Sequence, residues 1–140
     1  MGDSVNPVRV FLVDDNDDFL DGVSECLAHL PEFLIAGRAH SGQETFARLE
    51  EMSADLVLVD MTLPDMSGLE LTRRIKSNPS APLVVLMTFH DSGAARLVAA
   101  AAGADGLISE AGLREQLAPL IEKLLNGSVK ERHRGDYRLP

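Results

Sequence analysis

Five short apolar runs rich in β-branched residues divide this chain, and the segments between them carry helical spacing. The runs fall at 8–13, 33–36, 56–59, 83–87 and 107–108. Several are apolar without alternation, the pattern of strands covered on both faces of a parallel sheet. Residues 17–30 place Phe19, Leu20, Val23, Leu27 and Leu30 on one helical face, and 113–125 do so with Leu113, Leu117, Leu120, Ile121 and Leu124. Five strand–helix units in about 120 residues predict an α/β fold, because right-handed crossovers place helices on both faces of a parallel sheet.

Boundary signals support these units. Ser41 with Glu44, and Ser67 with Glu70, have capping-box spacing. Gly103 falls where an alanine-rich helix over 92–102 should stop, and Gly127 is expected to end the last helix. Pro119 lies inside that last helical pattern and is expected to bend it. The expected organisation is a leader over 1–6, one domain over 7–126 and a loose polar, basic tail over 127–140.

Charge narrows the function classes. The net charge is −9, and residues 127–140 carry +2, so the rest of the chain carries −11. Such a body argues against a nucleic-acid partner. No apolar run is long enough to cross a bilayer. The single Cys26 cannot form an internal disulfide and no secretory segment opens the chain, which predicts a reduced, cytoplasmic setting. There is no phosphate-binding P-loop, no nucleophile elbow, and no metal-ligand spacing among His29, His40, His90 and His133.

The strand ends hold the chemistry. The first run ends in Asp14-Asp15, the third in Asp60 and the fourth in Thr88, and the fifth leads to Glu110. Open α/β sheets bind ligands outside the carboxyl ends of their strands. Three carboxylates gathered there repel one another without a cation, which predicts a site for a hard, oxygen-liganded divalent ion such as Mg²⁺.

These residues carry a resemblance. The acid pair in Val-Phe-Leu-Val-Asp-Asp-Asn (10–16) resembles the first motif of response-regulator receiver domains. Asp-Met-Thr-Leu-Pro-Asp-Met-Ser-Gly-Leu-Glu (60–70) resembles their phosphoacceptor strand, loop and helix. Leu-Met-Thr (86–88) resembles the end of their fourth strand, and Ala-Gly-Ala-Asp-Gly (102–106) the lead into the fifth. The resemblance covers roughly residues 7–126. It implies a flavodoxin-like (βα)5 sandwich with strand order 2-1-3-4-5.

It also implies roles. Asp60 would accept a phosphoryl group from a histidine kinase, a phosphotransfer protein or a small phosphodonor. Asp14, Asp15, Asp60 and the backbone carbonyl of Thr62 would surround Mg²⁺, and Thr88 would donate its hydroxyl to the phosphoryl group. Pro64 and Gly68 would shape the loop. Without an effector domain the chain is expected to act as a stand-alone receiver. It would turn over no substrate beyond its own phosphorylation, and would signal to a protein target through the face of helix 4, strand 5 and helix 5. Helix 92–102 is expected to offer that face little side-chain bulk.

The chain departs from the family pattern at three places. Glu110-Ala111 stands where the family carries Lys, usually followed by Pro, and none of Lys76, Lys123 and Lys130 lies near a strand end. A unit charge at about 5 Å and an effective dielectric near 20 is worth roughly 3 kcal/mol, so the reversal disfavours the phosphorylated state. Glu110 is therefore expected to point into solvent or to contact Mg²⁺ through water. Leu107 replaces the aromatic switch of strand five and is expected only to pack. Phe89, after Thr88, either covers the site or packs. The alternative reading is a pseudo-receiver, an interaction module that works without phosphorylation. A remoter one is a haloacid-dehalogenase-like phosphatase using Asp15-Asn16-Asp17, which lacks a suitable Lys and leaves 60–68 unexplained.

Overall fold

Residues 6–135 are described by the structure, a computed structural model. The strands are β1 (Val8–Val13), β2 (Phe33–Ala39), β3 (Leu56–Asp60), β4 (Leu83–Thr88) and β5 (Gly106–Ser109). They alternate with helices α1 (Asp17–Ala28), α2 (Gly42–Leu49), α3 (Gly68–Lys76), α4 (Gly93–Ala101) and α5 (Leu113–Gly135). All strands pair in parallel, in the order β2-β1-β3-β4-β5. That is the fold the resemblance implied.

The unalternating runs are explained by two cores, one on each sheet face. Val10, Leu12, Leu58 and Met87 pack against Leu20, Val23 and Leu27 of α1 and Leu117 and Ile121 of α5. Their strand neighbours Phe11, Val13, Val57, Val59 and Leu86 point the other way, toward Leu71 and Ile75 of α3 and Ala99 of α4. Every second residue serves one core and the rest serve the other, so both must be apolar.

Side-chain oxygens at Asn16, Ser41, Ser67 and Ser92 start α1 to α4 by accepting a backbone N–H three residues on. The capping boxes are only half made. Glu44 reaches past Ser41 to accept from the His40 N–H at 2.8 Å. Glu70 turns outward to Arg73 and Arg74 at 3.0 and 2.9 Å. Gly103 ends α4 with φ +96°, a left-handed conformation that favours glycine.

Two boundaries differ from expectation. β2 continues to Ala39, because the β1 ladder skips Ala36 and resumes at Phe11 opposite Gly37. A close approach explains the glycine there, since a Cβ on Gly37 would lie 3.0 Å from the Phe11 ring. Helix α5 does not stop at Gly127 but runs to Gly135, with Pro119 inside it. A glycine costs a helix only about 1 kcal/mol, and the Lys, Glu and Arg residues that follow are good helix formers. The first nine positions assigned to a loose tail are thus helical. Residues 136–140 of that tail, and 1–5 of the leader, lie outside the described residues. Among the described residues no helix is long and apolar enough to cross a membrane.

Candidate functional site

The strand order places β1 beside β3 and β3 beside β4, so their C-terminal ends open onto one pocket. Asp14 follows β1, Asp60 ends β3 and Thr88 ends β4; all three are buried, at 3%, 8% and 9% exposure. Asp15 is exposed at the rim. One carboxylate oxygen from each of Asp14, Asp15 and Asp60 lies within 4.8 Å of the others. The acids read from separate stretches of sequence therefore do meet.

Local backbone geometry aims each group. Asp14 accepts the Asn16 N–H at 2.9 Å, and Asn16 in turn caps α1. Asp60 accepts the Thr62 N–H at 3.3 Å. Thr62 pairs with Ser67 in an antiparallel bridge, and the Gly68 N–H donates to the Met61 carbonyl at 2.7 Å, closing the loop over 61–67. Gly68 is required there, since a Cβ would lie 2.2 Å from the Asp60 carbonyl oxygen. The Thr88 hydroxyl accepts from the His90 N–H at 3.2 Å.

Glu110 does not point into solvent. Its N–H donates to the Thr88 carbonyl at 2.8 Å, continuing the β4–β5 pairing beyond Ser109. The half-buried side chain lies beside Asp60 and Asp14. Burial, then the charges of Asp60 and Asp14, pushes the Glu110 carboxyl up to about 7. Burial likewise pushes Asp14 up to about 6 and raises Asp60. The expectation of an outward Glu110 rested on charge alone, whereas a carboxyl whose proton affinity is raised by burial and neighbouring acids carries less of that charge.

The donor set fits a divalent cation. It is all oxygen, it converges on one point, and it holds two buried carboxyl groups whose ionised forms burial disfavours until a positive charge arrives. Asp14, Asp15 and Asp60 would hold Mg²⁺.

The remaining sequence-predicted positions take other roles. Leu107 packs against the core on the α4 face and faces Leu86 across the ladder. Phe89 does not pack into the core, being 75% exposed. Lys76 bonds Asp105 and the Pro82 carbonyl at the far edge of the sheet. A groove of about 440 Å³ between the C-terminal ends of α2 and α3, lined by Phe46, Leu49, Ile75 and Pro82 among others, also lies away from the acids.

Sequence reading missed two contacts around the pocket. His40 Nε2 lies 2.6 Å from Asp17 of α1. Asp65, read only as part of a motif, accepts from the Gly42 and Gln43 N–H groups at the start of α2, both at 2.9 Å. The partners are more than twenty positions apart, so no local pattern announces them.

Comparison with known proteins agrees with this geometry. The family model described as the response regulator receiver domain matches residues 10–122, and the chain belongs to that family. Receiver domains serve two-component signalling, interact with histidine kinases or phosphotransfer proteins, and bind Mg²⁺ at an acidic pocket. The response regulator GacA of Pseudomonas viridiflava is 35% identical over 79% of this chain and 52% of its own length. The transcriptional regulatory protein LnrK of Bacillus subtilis is 32% identical over 95% of this chain and 57% of its own. The chain spans about half the length of the curated relatives it matches. A two-component response regulator of the LuxR family from Aurantimonas superposes with a TM-score of 0.81 at 30% identity, covering 87% of each chain. A CheY-like receiver domain protein from Methanospirillum hungatei gives 0.77 at 28%, covering 90% of this chain and 99% of that one. The matched region includes the 60–68 segment that a phosphatase reading left unexplained.

Proposed function

We propose that this receiver accepts a phosphoryl group on Asp60 in a Mg²⁺-dependent reaction, and that Glu110 weakens the resulting signal. The observation that supports it best is the convergence of Asp14, Asp15 and Asp60 oxygens within 4.8 Å of one another, with Thr88 ending the neighbouring strand. An ionised Asp60 oxygen attacks the phosphorus of the donor. The bond from phosphorus to the leaving group breaks, its electron pair departs with that group, and an acyl phosphate is left on Asp60. Bound Mg²⁺ supplies positive charge against the phosphoryl oxygens. Asp14 and Asp15 would hold that cation, the Thr62 N–H orients the Asp60 carboxylate, and the Thr88 hydroxyl would donate to the new group.

One observation favours the second reading, a receiver that acts without phosphorylation: an acid, Glu110, stands half-buried beside Asp60. On either reading, output passes to a protein partner through the α4–β5–α5 face. There α4 exposes Leu97 at 74% and Val98 at 46%, more apolar bulk than its alanine-rich sequence suggests.

Incubation with acetyl phosphate and Mg²⁺, followed by intact mass, tests the proposal. Slow addition of one phosphoryl group, absent from Asp60→Asn and absent without Mg²⁺, is expected. No addition on the wild type against clear addition on Glu110→Lys would establish the second reading instead.

A further inference from the structure

We infer that Asp65 is a positioning residue of the acidic site, stapling the loop that carries Asp60 and Thr62 to the start of α2. The inference deepens the proposed Mg²⁺-dependent function and rests on it for its consequence, though not for its geometry.

The corner between β2 and α2 contributes no acid to the pocket, yet both acid-bearing loops are fastened to it. On one side, His40 bonds Asp17, two residues after Asp15, and Glu44 accepts the His40 N–H. On the other, Asp65 reaches the first two N–H groups of α2 with one oxygen each. Ser41 takes the third N–H, that of Glu44, at 3.1 Å. A helix start presents such free donors together with the positive end of its dipole, so an anion from a neighbouring loop is held well there. Those two N–H bonds keep the Asp65 carboxyl below the usual carboxylate range, as expected of an acceptor held ionised.

Close packing reinforces the staple. A Cβ on Gly42 would come within 2.6 Å of Met66 Sδ, so the loop tip sits directly on the helix start. Leu63, beside the tip, is buried in the core, which holds the loop down without fixing its direction. The Asp65 carboxylate provides the directional contact. Because the Thr62–Ser67 bridge and the Gly68-to-Met61 bond close the loop into one small unit, a shift at its tip carries over to Thr62 and Asp60. Groups that orient metal ligands from outside commonly matter about 10- to 100-fold in metal affinity.

Asp65 is exposed on its other side, so replacing it leaves the core intact. The test compares wild type, Asp65→Ala and Asp65→Asn in two measurements. The first is amide hydrogen exchange at Thr62 and Gly68 in the metal-free protein, and the second is Mg²⁺ affinity by calorimetric titration. Asp65→Ala is expected to speed exchange at both amides and to weaken Mg²⁺ binding about ten-fold. Asp65→Asn lacks the charge but keeps an acceptor oxygen, and should recover at least half of that loss on a logarithmic scale. Unchanged exchange in Asp65→Ala overturns the inference. Equal weakening of Mg²⁺ binding in both variants also overturns it, because charge alone would then account for the effect. A wild type that binds no Mg²⁺ overturns the proposed function, while the exchange arm still decides whether Asp65 holds the loop.

Discussion

Glu110 and Asp60 stand beside each other at the C-terminal edge of the sheet, two acids whose ionised forms burial disfavours. A receiver needs Asp60 ionised for attack, and here a neighbouring acid crowds it.

Replacing Glu110 should relieve that crowding. Glu110→Lys substitutes a cation for an acid beside the incoming phosphoryl group, worth about 3 kcal/mol per unit charge at about 5 Å before solvent screening. Screening reduces this, and phosphorylation by acetyl phosphate should still accelerate by about ten-fold or more. Stopped time courses read by intact mass check this, and a rate equal to wild type would show that Glu110 does not limit the reaction.

The same cluster makes the metal-free protein sensitive to alkali. Burial raises Glu110 to about 7 and Asp14 to about 6, against unfolded values of about 4. Folding therefore favours their protonated forms, so their contribution is full below about pH 4 and is lost as pH rises through about 6 to 7. His40, raised by its bond to Asp17, pulls in the same direction. Melting temperature without Mg²⁺ should fall by roughly 3–6 °C between about pH 5 and about pH 8. Glu110→Gln should flatten part of that slope, and saturating Mg²⁺ should flatten it further. A melting curve that rises with pH would contradict the assignment.

Gly68→Ala should damage the fold and the site together. The added methyl would meet the Asp60 carbonyl, a backbone atom that cannot swing away as a side-chain tip can. Overpacking of this kind costs about 1–3 kcal/mol. A lower urea midpoint, accompanied by weaker Mg²⁺ binding, is expected. Full stability with unchanged binding would mean that α3 starts farther from β3.

Lys76→Ala should separate stability from chemistry. The Lys76 ammonium donates to Asp105 at 2.8 Å and to the Pro82 carbonyl at 3.1 Å, and Asp105 also accepts the Val84 N–H. Losing these partly buried bonds should cost about 1–2 kcal/mol by denaturant titration. The phosphorylation rate below the melting transition should stay at the wild-type value.

The sequence reading succeeded where one residue's neighbours in the chain decide the outcome. The β1 limits, the Ser41 and Ser67 caps and the turn at Gly103 are local matters of propensity and hydrogen bonding. So was the gathering of Asp14, Asp15 and Asp60, once a parallel sheet forces successive strand ends to one edge. It failed where a contact joins distant segments. Glu110 turns inward because β5 pairs beyond its apolar run, and because the raised proton affinity of its half-buried carboxyl lessens the repulsion that net charge implied. Asp65 found its partners on another helix. The end of α5 was misplaced because a single glycine is a weak stop inside good helix-forming residues.

The salt link of Lys76 and Asp105 sits at the opposite tip of the sheet from the acids, roughly 17 Å away along the six-residue β4. That is about twice the screening length at physiological ionic strength, so a charge altered at one tip is scarcely felt at the other. The molecule is thus divided like a tool with a handle and a blade. Substitutions at the handle can offset the tension of crowded acids at the blade without dulling it. Selection, or an engineer, can strengthen the one and rework the other in either order.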